Sequence, residues 1–345
     1  IYSTVDPATD GHAYSCSKYL SALSLTGSDC VIEDLETEGA GHQDGNVVSS
    51  GARTAMKRCK IKHGSRHGSL FGPNASFVED TWIGGRNRQE AGGADQVVIY
   101  VAATFGGSDG ATFTDCVNQG EDTAYLDISG DNVSGVFAHD GSNAKLPGTI
   151  LHTRGTFRDN LNGNTPSAVT TQYVSPVLAG AKRLVGDHSG NADVTITDAS
   201  GSVGAMFLSN FSSGIQTIST ARSAVTIDGS RHATSFKGAV ISQNGGGDLN
   251  WIEDHDAFTW TGSAGFRAVS QVAKGSITRY DSSFAGTLQA HDKLAEGNAS
   301  GDVEFFGDRN TYKSGIGWSF KDQNPANLTA WKALVTPADA NSVAL

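Results

Sequence analysis

The chain reads Val194-Thr195-Ile196-Thr197-Asp198 near its middle, and this short segment decides the fold because it recurs. In each copy β-branched or aromatic residues alternate with polar ones, which is typical of a half-buried β-strand. The next copies are Val225-Thr226-Ile227-Asp228, Trp251-Ile252-Glu253-Asp254, Ile277-Thr278-Arg279-Tyr280-Asp281 and Val303-Glu304-Phe305-Phe306-Gly307-Asp308. Their terminal aspartates follow one another at 30, 26, 27 and 27 residues, and such a period indicates a solenoid.

Earlier copies of the same segment extend the repeat toward the N-terminus at longer and less regular spacing. They are Val31-Ile32-Glu33-Asp34, Cys59-Lys60-Ile61-Lys62-His63, Phe77-Val78-Glu79-Asp80, Phe113-Thr114-Asp115-Cys116 and Phe157-Arg158-Asp159-Asn160. A propeller blade needs about 40 residues, and no leucine ladder or helical stripe runs through the units. The repeat therefore predicts an all-β, parallel β-helix, with Val194, Val225 and Ile277 in one interior ladder.

Composition supports this prediction and excludes other classes. The 345 residues include 43 glycines and 7 prolines, which suits a fold of many tight corners and few interrupted ladders. Charged residues make up 18% of the chain, and 38% are hydrophobic, which disfavours disorder. The net charge of −11 disfavours nucleic acid as a partner, and the longest apolar run, Val97 to Ala103, is too short for membrane insertion.

Four cysteines, Cys16, Cys30, Cys59 and Cys116, leave two interpretations open. They could form two disulfides in any of three pairings. Three of them lie in strand-like segments, where a small apolar thiol is commonly buried, and we favour free thiols for that reason. Since no CxxC pair exists, the sequence predicts no zinc or redox site.

The repeat resembles right-handed parallel β-helix proteins, namely the pectate-lyase-like superfamily and the tail spikes and fibres of bacteriophages. The resemblance covers roughly residues 21–308 and lies in the repeated strand-and-turn segments. It implies a single-stranded, right-handed solenoid at an extracellular location or on a virion surface, often as a homotrimer. We therefore expect an N-terminal lead-in over 1–20, a β-helix over 21–310 and a C-terminal cap over 311–345. The cap is expected to contain a short helix that starts after Asn327 and has Leu328, Trp331 and Leu334 on one face.

Charged and imidazole side chains are densest between residues 42 and 88, where we expect a groove. Aligning Gly45 with Gly68 stacks Asp44 against His67 on adjacent turns, with Arg66 nearby. These three residues are the candidate catalytic groups. The candidate substrate-binding residues are His42, His63, Trp82, Arg86 and Arg88.

Such a groove could act on a polysaccharide in three ways. Asp44 with Glu79 or Asp80 could form the carboxyl pair of a glycoside hydrolase. A base with an arginine could instead abstract a proton beside a uronate, as in a lyase. The residues could also only bind sugar, with Trp82 as a stacking surface. The simplest interpretation is that aspartate and histidine at the corners bond to turn amides.

The sequence matches the catalytic motifs of these families only in part. Gly41-His42-Gln43 and Lys60-Ile61-Lys62 depart from the Gly-His-Gly and Arg-Ile-Lys patterns of galacturonan hydrolases, and no Asp-Asp pair exists. No catalytic residue is therefore carried over. The acidic run Glu253-Asp254-His255-Asp256 is interpreted as a solvated corner, with an adventitious Ca²⁺ site as the alternative, and no cofactor is expected.

The leading prediction is a tail-spike-like or fibre-like surface appendage that binds cell-surface polysaccharide. The alternatives are a secreted polysaccharide lyase or glycoside hydrolase, and an adhesin-like structural solenoid.

Overall fold

The computed structural model describes residues 23–37, 47–49, 51–64, 69–71, 74–86, 97–101, 110–121, 135–139, 149–158, 170–185, 192–209, 215–228, 239–243, 248–261, 267–272, 274–286, 293–297, 303–312, 323–335 and 338–344. The chain divides into two compact units, Ile1–Gln172 and Tyr173–Leu345. Each unit consists of short strands stacked in parallel. The described part of the chain contains no helix with the length and hydrophobicity needed to span a lipid bilayer.

Unit 1 contains three parallel sheets. Sheet A has the order β2-β5-β8-β11-β14, sheet B the order β3-β6-β9-β12-β15 and sheet C the order β1-β4-β7-β10-β13. The strands are β1 (Leu23–Leu25), β2 (Val31–Glu33), β3 (Glu36–Thr37), β4 (Val47–Ser49), β5 (Ala55–Lys57), β6 (Lys60–Gly64), β7 (Ser69–Phe71), β8 (Asn74–Glu79), β9 (Trp82–Arg86), β10 (Val97–Val101), β11 (Gly110–Thr114), β12 (Val117–Glu121), β13 (Gly135–His139), β14 (Thr149–Thr153) and β15 (Thr156–Arg158).

Unit 2 repeats this arrangement, and β16 (Thr170–Val174) contains the boundary between the units. Its sheet A has the order β18-β20-β23-β26-β29 and its sheet B the order β17-β19-β21-β24-β27-β30-β31. Unlike in unit 1, the third group of strands, β22-β25-β28, is joined to sheet B, because β22 pairs with the long strand β19. The strands are β17 (Val177–Val185), β18 (Ala192–Thr197), β19 (Ser200–Ser209), β20 (Ile215–Ala221), β21 (Ala224–Asp228), β22 (Ala239–Gln243), β23 (Asp248–Asp254), β24 (Ala257–Thr261), β25 (Arg267–Val272), β26 (Lys274–Tyr280), β27 (Ser283–Gly286), β28 (Lys293–Gly297), β29 (Val303–Asp308), β30 (Thr311–Tyr312) and β31 (Val343–Ala344).

These parallel sheets confirm the predicted all-β solenoid of the parallel β-helix type. A parallel β-helix buries its apolar side chains only because each turn stacks on the next. The right-handedness and the division at residues 20 and 310 stay predictions, and residues 1–20 lie outside the described part of the chain.

A corner residue with positive φ joins sheet A to sheet B in each turn. The corner residues are Asp34, Arg58, Asp80, Asp115 and Arg154 in unit 1, and Ser175, Asp198, Arg222, His255, Asp281 and Arg309 in unit 2. Their φ angles lie between 47° and 56°, in the left-handed region that turns the chain sharply. The backbone N–H of the corner residue continues the hydrogen bonding between neighbouring turns. For example, the Asp34 N–H donates to the Lys57 carbonyl oxygen at 3.1 Å.

The interior ladder of unit 2 differs from the predicted one at a single position. Val194 lies opposite Ile218, which lies opposite Trp251, followed by Ile277 and Phe305. Val225 is buried as well, but it belongs to β21 of sheet B.

The prediction of Val225 in the sheet A ladder was wrong because the corner of that turn is an arginine. A search for segments that end in aspartate passes over Arg222 and stops at the next strand, Val225 to Asp228. The same error placed the copies that begin at Cys59 and Phe157 on sheet B strands, where the true corners are Arg58 and Arg154.

Small polar residues directly after the corners form a buried ladder in unit 2. Each accepts a hydrogen bond from the equivalent backbone N–H of the preceding turn. The donors and acceptors are Ala199 N to Ser223 Oγ, Ser223 N to Asp256 Oδ1, Asp256 N to Ser282 Oγ, Ser282 N to Asn310 Oδ1 and Asn310 N to Ser342 Oγ. Because the chain turns at the left-handed corner, these backbone N–H groups fall outside the regular strand pairing. The side chains of the ladder accept their hydrogen bonds.

The equivalent positions of unit 1 hold Cys59, Thr81 and Cys116. Cys59 N donates to Thr81 Oγ1, and the Cys116 thiol donates to the Thr114 carbonyl oxygen at 3.4 Å. Cys59 and Cys116 are buried free thiols and Cys30 is a half-buried one, as favoured above, while Cys16 lies outside the described residues.

The C-terminal segment closes unit 2 as a cap. The helix α1 (Leu328–Leu334) begins after Asn327, whose side chain accepts a hydrogen bond from Ala330 N, and this confirms the predicted helix and its N-cap. Asp339 is fully buried and accepts hydrogen bonds from the side chains of Trp331, Tyr312, Asn310 and Ser342. The strand β31 then pairs in parallel with β30, so the cap supplies the last edge strand.

Candidate functional site

Most of the predicted groove lies outside the residues that the structure describes. This holds for Asp44, Arg66 and His67, the candidate catalytic groups, and for His42 and Arg88. The neighbouring strands β4 and β7 pair with Val47 opposite Ser69, an offset of 22 residues, whereas the Gly45–Gly68 alignment assumes 23. The stacking of Asp44 on His67 stays a prediction.

The backbones of His63 and Arg86 lie on adjacent strands of sheet B. His63 belongs to β6 and Arg86 to β9, and the register places Gly64 opposite Arg86. The structure thus brings these two candidates to neighbouring turns, one residue apart in register.

Trp82 is the candidate whose side chain the structure describes, and it belongs to an outward column of sheet B. The column contains Glu36, Lys60 and Trp82, between the buried residues Thr37, Ile61 and Ile83. The Lys60 ammonium lies 5.8 Å from the centroid of the Trp82 ring. A half-buried indole with a cation over its face leaves less ring surface for a sugar than a bare tryptophan would.

Both residues proposed to pair with Asp44 make contacts between turns, Glu79 through its side chain and Asp80 through its backbone. Glu79 points outward from β8 and lies 3.5 Å from the Lys57 ammonium. Asp80 is a corner residue, and its N–H donates to the Thr114 carbonyl oxygen. These contacts match the interpretation of polar corner residues as parts of the turn.

Arginine and aspartate pair across successive corners in both units. Each pair is bidentate, with arginine Nε and Nη2 on the two carboxylate oxygens at 2.6 to 3.0 Å. The pairs are Asp34 with Arg58, Asp115 with Arg154, Asp198 with Arg222 and Asp281 with Arg309. The hydrogen bond from the guanidinium lowers the pKa of each of these carboxyls, so all four are ionised at neutral pH. Their role is to hold neighbouring turns together.

The run from Glu253 to Asp256 is only half solvated, which corrects the interpretation as a solvated corner. Asp254 and His255 are exposed, whereas Glu253 and Asp256 are buried. Glu253 forms a fully buried ion pair with Arg279, whose guanidinium lies 4.4 Å from the centroid of the Phe284 ring. The alternation of side chains along the strand indicates that Glu253 is buried, since it follows Trp251 by two residues and a strand places such residues on one face.

Asp254, His255 and Asp281 are close enough to ligate one cation, with ligand atoms within 4.8 Å of one another. Each nevertheless has a protein partner. His255 Nδ1 lies 2.7 Å from Asp254 Oδ1, and both Asp281 oxygens accept hydrogen bonds from Arg309. A cation would have to compete with that guanidinium, so the cluster is explained as part of the corner.

The outward side of sheet A in unit 2 is called here the outer face of unit 2. Alternate residues of five strands form three columns. Read from β18 to β29, they are Asp193, Thr217, Asn250, Ser276 and Glu304; then Thr195, Ser219, Ile252, Thr278 and Phe306; then Thr197, Ala221, Asp254, Tyr280 and Asp308. Neighbouring strands of a sheet lie about 4.8 Å apart, so hydroxyl and amide groups repeat at that interval.

Three large apolar side chains on this face are exposed. Ile252, Tyr280 and Phe306 expose between 37% and 45% of their surface. Ile252 and Phe306 share a column with Thr278 between them, and Tyr280 lies in the next column beside Thr278. Sequence reasoning missed this face because its members are neighbours only through strand register.

Comparison with protein families, curated proteins and solved structures finds no match for this chain.

Proposed function

We propose that this protein is a β-helical surface appendage that binds cell-surface polysaccharide. The observation that carries the proposal is the outer face of unit 2, where the exposed Phe306 ring lies among rows of serine, threonine and asparagine side chains. Tyr280 adds a second exposed ring, and the Arg309 guanidinium lies 5.9 Å from its centroid. Aromatic rings can pack against the apolar faces of sugar rings, while hydroxyl and amide groups exchange hydrogen bonds with sugar hydroxyls.

A repetitive surface suits a repetitive ligand. Stacked turns present the same kind of side chain at regular intervals, and extended solenoid surfaces serve as binding surfaces for this reason. A polysaccharide has matching regularity, whereas a small metabolite is usually held in a concave pocket.

The assignment of this appendage to the tail spikes and fibres rests on the resemblance of the repeat to those proteins and to the pectate-lyase-like superfamily. We propose that the protein acts at an extracellular location or on a virion surface, as a homotrimer. Light scattering tests the assembly, and a strictly monomeric mass would contradict the trimer.

Binding to a panel of capsular and cell-wall polysaccharides tests the function. The double variant Tyr280→Ala/Phe306→Ala should weaken binding about tenfold or more, because two ring contacts are lost. Val177→Ala, which truncates an exposed side chain on sheet B of the same unit, is the matched control and should change nothing.

Two results would contradict the proposal. Failure to bind any glycan of the panel rejects polysaccharide binding, and unchanged binding by the double variant rejects the outer face as its site. Release of reducing or unsaturated ends from a bound polysaccharide would instead support the alternative of a hydrolase or lyase.

A further inference from the structure

We propose that the cap is an autoinhibitory contact, which occupies the end of unit 2 and so prevents a turn of a second copy of this chain from stacking there. The segment meant here covers residues 323–335 and 338–344. Within the described residues, β29 is the last strand of sheet A, and β31 follows β30 at the end of sheet B. The proposal concerns assembly and does not depend on polysaccharide binding.

The sheet B part of the cap repeats the backbone contacts that one turn makes with the turn before it. The strand β31 lies in parallel register on β30, with Val343 opposite Thr311. Val343 N donates to the Asn310 carbonyl oxygen at 2.8 Å, just as Thr311 N donates to the Ser282 carbonyl oxygen one turn earlier. The cap therefore takes the place that the strand of a further turn would take.

The buried ladder and the corner contacts also extend into the cap. Asn310 N donates to Ser342 Oγ at 2.8 Å, as Ser282 N donates to Asn310 Oδ1 one turn earlier. Asn341 precedes Ser342 as each corner residue precedes its ladder residue. Its backbone N–H and its side-chain amide donate to the two carboxylate oxygens of Asp308. The cap thus matches a turn at its strand, at its ladder position and in its contact at the corner.

The cap differs from a turn at the groups that would continue the stack. The N–H groups of the earlier ladder residues donate to side chains of the following turn. Ser342 N instead donates within the cap, to the Asp339 carbonyl oxygen at 3.1 Å. The left-handed residue of the cap is Asp339, with φ of 56°, two residues before Asn341. The cap therefore accepts the ladder from unit 2 and ends it.

On the sheet A side, a helix takes the place of the next strand. Trp331 of α1 packs edge-on against Phe305, with the ring centroids 5.1 Å apart, and so covers the last residue of the interior ladder. The backbone groups of a helix bond to one another, so α1 offers no strand edge on which a further turn could pair.

One buried carboxylate connects the parts of the cap to each other and to the last turn. Asp339 accepts hydrogen bonds from Trp331 Nε1 and Ser342 Oγ inside the cap. It also accepts from the Tyr312 hydroxyl and from Asn310 Nδ2 in the last turn. Loss of this carboxylate should therefore release the cap from unit 2.

Release would uncover groups that a turn of the same chain can satisfy. Asn310 N and the Asn310 carbonyl oxygen would lose the partners that Ser342 and Val343 provide. Each turn in unit 2 offers a parallel strand edge and a ladder side chain to the turn before it, so a second copy has the matching chemistry. A contact between the end of one copy and a different surface of the next does not close on itself, so association would continue head to tail.

The variant Asp339→Ala in the full chain tests the proposal. Hydrogen exchange of peptides from residues 323–344 reports release of the cap, and light scattering reports the mass. We expect rapid exchange across the cap and a weight-average mass that rises at least about twofold with concentration, because the head-to-tail contact stays open. Ser223→Ala is the matched control: it removes a ladder hydroxyl inside unit 2 and should keep the wild-type mass.

A synthetic peptide of residues 323–344, added in excess, should reverse the association because it occupies the same end. The same peptide with Asp339→Ala should have no effect. Should Asp339→Ala fail to fold, Asn341→Ala/Ser342→Ala removes the corner and ladder contacts of the cap and is measured in the same way.

Several results would overturn the proposal. Rapid exchange in the cap with an unchanged mass shows that the uncovered end does not take a second copy. Association of Ser223→Ala to the same extent, or association that the cap peptide does not reverse, assigns the effect to general unfolding. Growth that stops at a dimer contradicts the head-to-tail contact. Slow exchange of the cap in both cap variants contradicts the assigned role of its contacts.

Discussion

Replacing Asp256 with asparagine should stabilise the protein at neutral and alkaline pH. In the described buried ladder of unit 2, Asp256 is the only carboxyl side chain that accepts a hydrogen bond from a backbone N–H of the preceding turn. Its Oδ1 accepts from Ser223 N at 2.8 Å and its Oδ2 from Thr220 Oγ1 at 2.6 Å. Burial raises the pKa of this carboxyl to about 7, and repulsion from Glu253 adds to the shift.

The size and the sign of the change in stability follow from the difference between the folded and unfolded pKa values of Asp256. An unfolded aspartate has a pKa near 3.9, so folding raises the value by about 3 units. Because the folded value is the higher one, ionisation favours the unfolded chain, and stability falls as the pH rises from about 4 to about 7. The loss levels off above that range at about 4 kcal/mol. Asparagine keeps the acceptor for Ser223 N and can donate to Thr220 Oγ1 without a buried charge.

Urea unfolding, followed by the fluorescence of the buried Trp251 and Trp260, measures this difference. The unfolding free energies of wild type and Asp256→Asn should separate by about 4 kcal/mol more at pH 8 than at pH 4. Glu304→Gln, which removes an exposed carboxylate, is the control and should change the unfolding free energy by less than about 0.5 kcal/mol. A variant that is less stable than wild type at pH 8, or a gap that does not change with pH, would refute the reasoning.

Three further predictions concern other parts of the chain. Cys59 and Cys116 should react with thiol reagents only after unfolding, because both are buried and desolvation raises the pKa of the Cys116 thiol to about 12. Asp339→Ala should lower the unfolding free energy by at least about 3 kcal/mol in urea, since it leaves buried donors without an acceptor. Asp44→Ala and His67→Ala should weaken glycan binding in a titration if the predicted groove contributes.

Each of these has a control and a contradicting outcome. Cys30 is only half-buried and should react in the native state, so equally fast labelling of all thiols would contradict the first prediction. Asp339→Asn keeps one acceptor oxygen and should cost less than Asp339→Ala, and equal costs would show that hydrogen bonding is not the cause. Unchanged binding by both groove variants would reject the groove.

The alternation within each strand was readable from sequence because it is local. Side chains two residues apart lie on one face of a strand, and this rule places Val194 with Ile196 inside and Thr195 outside. The cap helix was predictable for a similar reason, since the Asn327 N-cap and the spacing of Trp331 act within a few residues. The same rule would have placed Glu253 inside beside Trp251, had it been applied to that strand.

The corner residues were only partly predictable because four residue types, aspartate, arginine, serine and histidine, occupy equivalent positions. Aspartate accepts left-handed φ readily, and the prediction therefore used it as the marker of a corner. Arg58 and Arg222 adopt the same conformation, where each pairs with the aspartate one turn earlier. That pairing exists only once the turns are stacked, and no local pattern reveals it.

By itself, the sequence determined that the chain forms short strands with one apolar side, separated by tight turns and closed by a helical segment. The tertiary structure decided which strands become neighbours, and therefore which side chains meet at the corners, in the buried ladder and on the outer face of unit 2. The physical reason is that within the two units successive corners are 22 to 39 residues apart, so distance along the chain does not give the register. Register is set where turns stack, by hydrogen bonds and burial between residues far apart in sequence.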